Sequence, residues 1–286
     1  MLYRFEYHRA HSVEDALLQL SEHPNSEPLA GCTNTLVDAR ARRRMPQVVV
    51  DINSLQDLRY ARRENGVVRL GARTTLTDCL RLPFFEAQAP VLKNMAAEFA
   101  GELIRNRATL AGNIAYASPA ADVVPPLLAL DAQVTLISTR RGVRIMPLTD
   151  FITGPRKTIL SQDELISEIS FPVPDGEVRS GYFKFALRRA MAISLVSGAV
   201  VLVMNDGRIR QARIALGAVA PKPYRVTGAE KLLEGQAPVM DLVREAARMA
   251  ADSTDPIDDI RASANYRREM TQVMMRRIIE KALSWR

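Results

Sequence analysis

The chain has 286 residues, 47% of them hydrophobic and 25% charged, which excludes a disordered chain and leaves room for about two domains. Two cysteines and three histidines (His8, His11 and His23) exclude a disulfide framework, an iron–sulfur cluster or a Cys-rich zinc site within this chain alone, and leave no histidine for a Ser-His-Asp site deep in the sequence. The net charge of +7, from 39 basic and 32 acidic residues, is dispersed; with no aromatic-rich strand beside Arg40, Arg42, Arg43 and Arg44 or Arg267, Arg268, Arg276 and Arg277, solvated helix faces or protein contacts are expected rather than nucleic acid.

Met1 to Ala10 has no apolar h-region, and no run approaches the roughly 18 apolar residues of a membrane span, so a cytoplasmic protein is expected. Ser12 to Leu20 reads as a helix. Ser12 and Asp15 are spaced as a capping box, and Val13, Ala16, Leu17 and Leu20 share one face. "EPLAG" is a short strand, "CTNTLVDARARRR" a loop and a basic helix stopped by Pro46, and "QVVVDI" a buried strand. Together they predict a small parallel unit. Val67 to Ala72 is a strand, followed by helices near Leu76–Leu82 and Val91–Phe99. "VVPPLLAL" is a helix with proline in its first turn, "QVTLISTRRGVRIMPL" a hairpin, and "DELISEISFPVP" a strand cut off by Pro172 and Pro174. "PVPDGEVRSG" marks the boundary. Beyond it "GYFKFAL" and "ISLVSGAVVLVMNDGRIRQARIALGAVA" predict a small antiparallel sheet turning at Asn205-Asp206-Gly207. From Glu230 the chain is helical, ending in a helix over Tyr266 to Trp285 with Tyr266, Met270, Val273, Met274 and Ile278 on one face.

Two segments share one character: "LAGCTNTL", Leu29 to Leu36, and "ATLAGNIA", Ala108 to Ala115. Each sets Gly beside Ala and follows with Thr or Asn. Small residues let backbone N–H groups approach a ligand, and successive N–H groups in a tight turn form an anion-binding nest. A diphosphate suits such a pair without any lysine. The helix after the first loop adds its N-terminus. Neither loop matches the dinucleotide G-x-G-x-x-G or the P-loop.

The chain resembles the FAD-binding (medium) subunit of the molybdenum hydroxylase family, xanthine dehydrogenase type. The family's first loop, A-G-G-T-D-L, corresponds to Ala30-Gly31-Cys32-Thr33-Asn34-Thr35. Its second, I-R-N-x-A-T-x-G-G-N-I, corresponds to Ile104 to Ile114. "SPAAD", "PPLLALDA", "DFITGPRKTIL", "YFKFALRRAMAIS", "ALGAVAPKPYR" and "ASANYRREMTQVMMRRIIEKAL" extend the resemblance over nearly the whole chain. It implies an α+β fold: a two-part FAD-binding domain of the vanillyl-alcohol-oxidase type over residues 1–174 (parts about 1–55 and 56–174). A C-terminal domain of one small sheet plus a helical bundle follows over residues 178–286.

The resemblance also implies non-covalent FAD, with its diphosphate wrapped by the backbone of Glu27, Pro28, Leu29, Ala30, Gly31, Cys32, Thr33 and Asn34 and of Thr109, Leu110, Ala111, Gly112 and Asn113. Asp122 would accept from ribityl or ribose hydroxyls, or else cap the "VVPPLLAL" helix. Leu165 would pack on flavin or adenine, or else be plain core. Lys184 would bring a positive charge to the isoalloxazine, or else be an exposed strand lysine. Arg105 and Asn106 brace the second loop or face a partner. The family carries Gly where this chain has Cys32 and Ala111, and Asp where it has Asn34. If either lost glycine needs a positive φ, its side chain costs roughly 1–2 kcal/mol. No general acid, base, nucleophile or metal ligand set is evident. The expected role is electron transfer from a separate [2Fe–2S] subunit, serving a molybdopterin subunit that hydroxylates a purine or other heterocycle, to NAD or another acceptor. The expected assembly is a heterotrimer that can dimerise. The alternative is the flavin subunit of a related aromatic or CO-type dehydrogenase. A covalent-flavin oxidase would need a histidine near a loop, and a nucleic-acid module would show no flavin and strong salt dependence.

Overall fold

A computed structural model of the chain describes residues 3–188 and 190–284. The first unit comprises β1 (Glu6–Arg9), α1 (Val13–Glu22), β2 (Ser26–Leu29), α2 (Thr35–Arg40) and β3 (Val48–Asp51). Its sheet has the order β1-β3-β2 with both pairs parallel, because each strand-to-strand connection crosses over through a helix. β1 was not anticipated: Glu6, Tyr7, His8 and Arg9 are a polar run, which an edge strand tolerates. Ser12 caps α1 through the Asp15 N–H, but the Asp15 carboxylate accepts from the His11 N–H, so only half of the expected capping box forms. α2 ends at Arg40 rather than at Pro46, since Arg42 turns to a φ of 55° and the Arg43 N–H closes back on the Asp38 carbonyl.

The second unit begins with a hairpin, β4 (Ala61–Glu64) and β5 (Val67–Gly71), whose Asn65-Gly66 turn has positive φ at both residues. Six helices follow: α3 (Leu76–Arg81), α4 (Pro83–Gln88), α5 (Pro90–Glu98), α6 (Glu102–Arg105), α7 (Leu110–Tyr116) and α8 (Val124–Ala129). Then come β6 (Gln133–Ser138), β7 (Gly142–Pro147), α9 (Leu148–Phe151), β8 (Ile152–Gly154), β9 (Lys157–Thr158) and β10 (Leu165–Pro172). The five-stranded sheet runs β4-β5-β10-β6-β7, antiparallel throughout. Leu76, Phe85, Leu92, Met95, Leu110, Ile114 and Leu127 form the helical side of its core.

β11 (Glu177–Phe185), β12 (Val196–Asn205), β13 (Arg208–Gly217) and β14 (Tyr224–Arg225) form the second, antiparallel sheet. The predicted Asn205-Asp206-Gly207 turn joins β12 to β13, with Asp206 and Gly207 at positive φ. α10 (Thr227–Leu233), α11 (Met240–Asp252) and α12 (Ala264–Ala282) pack together and on this sheet. From the other side the sheet sends Tyr182, Ala199, Val201 and Ala215 into the core that holds α5 and α8. One sheet thus lies between two of the three hydrophobic cores, the third belonging to the parallel unit, an α+β arrangement in which the two halves share apolar surface. On α12 the buried stripe is Arg267, Thr271, Met275, Ile278, Ile279 and Ala282; of the expected face Ile278 is buried and Met270 and Met274 pack against the same core half-buried, while Tyr266 is exposed. The stripe shifts because Arg267 is held inside by the Leu195 carbonyl, 2.9 Å away, and the Asp259 carboxylate, 2.8 Å away. Trp285, placed at the end of that helix by its sequence, lies outside the described residues.

Candidate functional site

A cleft of about 600 Å³ opens between the segment from β2 to α2, the stretch from Phe99 to Asp122, the segment that enters β10, and the start of the C-terminal sheet. Every residue expected at the site lines it except Leu29 and Leu110, whose side chains turn into the core behind it.

The first loop runs Ala30-Gly31-Cys32-Thr33-Asn34 between β2 and α2. The backbone N–H groups of Gly31, Cys32, Thr33, Asn34 and Thr35 have no acceptor among the described residues. They precede or open α2, where a helix has no earlier carbonyl to accept from them, and Asn34, its N-cap, makes no side-chain cap bond. The loop is pinned from behind: Asn53 Nδ2 donates to the Ala30 carbonyl at 2.8 Å. Gly31 is required by close approach, since a Cβ there would stand 1.9 Å from the Arg107 carbonyl oxygen. Cys32 has a φ of 60°, so the first of the two lost glycines does occupy a left-handed position. Its Sγ donates to the Ala30 carbonyl at 3.4 Å. Burial pushes the thiol up, against the pull of the Arg107 charge, so it is a neutral thiol and not a poised thiolate.

The second segment is not a loop. Thr109 caps α7, its Oγ1 accepting from the Gly112 N–H at 3.0 Å, and Ala111, Gly112 and Asn113 lie in the first helical turn. Leu110 N–H donates to the Thr74 carbonyl and Asn113 N–H to the Thr109 carbonyl, so the Thr109 and Ala111 N–H groups are the two in this segment that lack an acceptor among the described residues. Ala111 takes a helical conformation, and its missing glycine carries no strain. The small residues suggested an open turn, but the Thr109 cap and the buried Ile114 stabilise a helix instead. Arg105 braces the Phe99 and Ala100 carbonyls, at 2.8 and 3.1 Å, and thereby the turn at the cleft edge; Asn106 accepts from Thr77.

Asp122 and Lys184 meet across the boundary between the two sheets. Lys184 Nζ lies 2.5 Å from Asp122 Oδ2, and Tyr182 and Ser194 donate to Oδ1 at 3.1 and 2.5 Å. The two charged side chains are 8% and 9% exposed, so Lys184 is no exposed strand lysine. Asp122 does not cap α8, whose first residues have no side-chain cap. Burial, with the carboxylate beside it, pushes the Tyr182 hydroxyl far up, so it remains a donor. Lys184 also sits 6.0 Å above the Phe99 ring, and Phe99 and Ile193 join it in lining the cleft. A free cation was expected here; the structure has half of an ion pair.

At the wall formed by β2, Glu27 Oε1 accepts from Thr35 Oγ1 at 3.3 Å, and Arg44 Nε lies 2.9 Å from Oε2. Gln162 Nε2 donates to the Ser26 carbonyl at 2.6 Å, drawing the segment before β10 onto this wall, and Leu165 is buried while facing the cleft. Asp38, 2% exposed, takes Arg156 Nη1 at 3.0 Å and the Tyr116 hydroxyl at 2.9 Å. Arg156, Gln162, Phe99 and Ile193 were not singled out from the sequence: each reaches the cleft from a different segment, and no local pattern marks them. Among the described residues no group of three or more His, Cys, Asp or Glu could hold a metal ion, and no helix is long and apolar enough to cross a membrane.

Residues 3–174 match the family described as FAD binding domain in molybdopterin dehydrogenase, and residues 181–282 that described as CO dehydrogenase flavoprotein C-terminal domain. The chain is 33% identical over 280 residues to the xanthine dehydrogenase FAD-binding subunit of Escherichia coli O157:H7, covering 97% of this chain and 96% of that one. It is 32% identical to the glyceraldehyde dehydrogenase medium chain of Sulfolobus acidocaldarius, with 94% and 95% covered. Among solved structures it is similar to the carbon monoxide dehydrogenase of Hydrogenophaga pseudoflava, with a TM-score of 0.95, 31% identity and 99% of each chain covered.

Proposed function

This chain belongs to the FAD-binding medium subunits of the molybdenum hydroxylase family, and we propose that it is the electron-relay subunit of a xanthine-dehydrogenase-type member. In this reading electrons arrive from a [2Fe–2S] subunit, which serves a molybdopterin subunit, and leave to NAD or another acceptor. The observation that carries the reading is the row of five unpaired N–H groups from Gly31 to Thr35, inside a cleft walled by both sheets. Such a row fits a diphosphate without a lysine, and the cleft has room for a dinucleotide.

FAD, when bound, supplies the redox chemistry, taking up and passing on electrons. The chain binds and orients it. Gly31 to Thr35 and the Ala111 N–H hold the diphosphate. Leu165 packs against a ring. Lys184, Tyr182 and Ser194 fix Asp122 at the wall shared by the two sheets. There Lys184 presents the positive end of a dipole rather than a free charge, so its effect on a flavin is smaller than that of an unpaired lysine. In this reading substrate hydroxylation belongs to the molybdopterin subunit, and this chain alone is not competent for it. The flavin subunit of a CO-type hydroxylase would carry the same cleft, because the substrate is met in the molybdopterin subunit.

The test is a visible absorption spectrum of the purified chain, followed by heat release of the chromophore and co-purification with the other two subunits. Released FAD and a stable three-part complex that reduces NAD support the proposal. A chain that takes up no added FAD refutes it, and a complex that reduces quinone or oxygen but not NAD refutes its last step.

A further inference from the structure

Glu27 is an unexpected residue beside a diphosphate. Its side chain is only 9% exposed, and it lines the cleft just before the row of free N–H groups. Thr35 donates to Oε1 over a long 3.3 Å. Arg44 Nε lies 2.9 Å from Oε2, yet its N–H does not point along the line a hydrogen bond needs, and Oε2 is left buried with no donor. Charge and hydrogen bonding are therefore separated at this carboxylate. Arg44 balances the charge, and the lone pairs of Oε2 stay idle. A buried acceptor without a partner is destabilising unless something meets it.

A phosphate cannot be that partner, because two anions repel at contact. The partner must be a neutral O–H or N–H. Glu27 stands on a wall made entirely within the N-terminal half, where Gln162 is tied to Ser26 and Leu165 faces the cleft. The wall that includes Lys184 and Ile193, by contrast, is shared with the C-terminal sheet. A dinucleotide with its diphosphate on Gly31–Thr35 has a nucleoside half to place on the first wall and its flavin half to place on the second.

We propose that Glu27 accepts a hydrogen bond from the adenosine half of FAD, through a ribose hydroxyl or the adenine amino group, and so makes the site select the dinucleotide over flavin mononucleotide. This rests on the flavin reading above. Burial, which pushes the Glu27 carboxyl up, is opposed by Arg44 and by the Thr35 hydroxyl, and a ligand donor would act in the same sense as those two.

The experiment measures dissociation constants of the full-length chain, stripped of nucleotide, for FAD, flavin mononucleotide and ADP, in the native protein and in Glu27→Gln. The isosteric change should weaken FAD and ADP at least about tenfold, the loss of one hydrogen bond to a charged acceptor, and leave flavin mononucleotide unchanged. Inosine diphosphate lacks the amino group and dideoxy-ADP lacks both ribose hydroxyls. Whichever lacks the donor should bind the native chain about tenfold more weakly than ADP and be indifferent to the substitution. Equal weakening of all ligands, an unchanged ADP affinity, or two analogues that bind like ADP would each overturn the proposal. If Glu27→Gln fails to fold, the analogue series on the native chain decides by itself. A native chain that binds neither FAD nor ADP overturns the flavin reading itself, a result distinct from the others.

Discussion

Two stretches of the cleft wall carry a glycine in a run of small residues, and the first lies against the backbone that leads into the second. In Ala30–Thr35 the backbone leaves five N–H groups in a row without an acceptor. In Thr109–Asn113 three of the five donors are taken up, by Thr74, by the Thr109 hydroxyl and by the Thr109 carbonyl, leaving those of Thr109 and Ala111 without an acceptor among the described residues. The first stretch presents donors; the second supports it, since the chain leading into α7 supplies the Arg107 carbonyl against which Gly31 lies. The difference teaches that small residues serve two ends. They expose a backbone to a ligand, or they let one backbone lie against another.

Four substitutions bear on that contrast, and all can be read by thermal unfolding beside FAD titration. Gly31→Ala should be the most damaging. Its Cβ meets a carbonyl oxygen that cannot swing away, so a loss of about 2–3 kcal/mol is expected, with FAD affinity falling in step. Stability within error of the native chain would show that the two backbones do not truly touch. Cys32→Gly should stabilise by about 1 kcal/mol, because relief of the left-handed strain exceeds the added freedom of the unfolded chain. Ala111→Gly restores the other family glycine yet should have the opposite sign, costing about 0.5–1 kcal/mol within a helix. If both changes stabilised, the second segment would be a strained loop after all. Gly112→Ala should change stability least, by less than about 0.5 kcal/mol: its Cβ crowds the Thr109 hydroxyl at 2.8 Å, but helix propensity compensates for a weakened cap.

The parts of the fold that the sequence discloses are those with a local cause. The parallel unit, the hairpin over 133–147 and the Asn205-Asp206-Gly207 turn follow from alternation and turn residues within a few positions of each other. The first loop was legible for the same reason. The second was misread because one hydroxyl, that of Thr109, decides between turn and helix. Asn65-Gly66 was an available hairpin signal that went unused. What could not be read was tertiary. Asp122 and Lys184 are far apart in the chain, and although each was singled out, nothing in the sequence paired them. Arg267 broke the apolar period of α12 because its partners, Leu195 and Asp259, come from other segments, and Thr271 is buried beside it with its hydroxyl on the Arg267 carbonyl.

The Asp122–Lys184 pair has a consequence for exchange rates. It joins residues on either side of the covalent link near 173–176, and both line the cleft that both halves wall. Drawing the halves apart there means pulling a buried ammonium off a buried carboxylate, a separation that costs several kcal/mol and is screened little by salt. A molecule whose release requires the halves to part is therefore held back by the pair, and adding electrolyte will not hurry it. Replacing Lys184 by methionine removes that latch, so release should quicken by more than the equilibrium affinity falls.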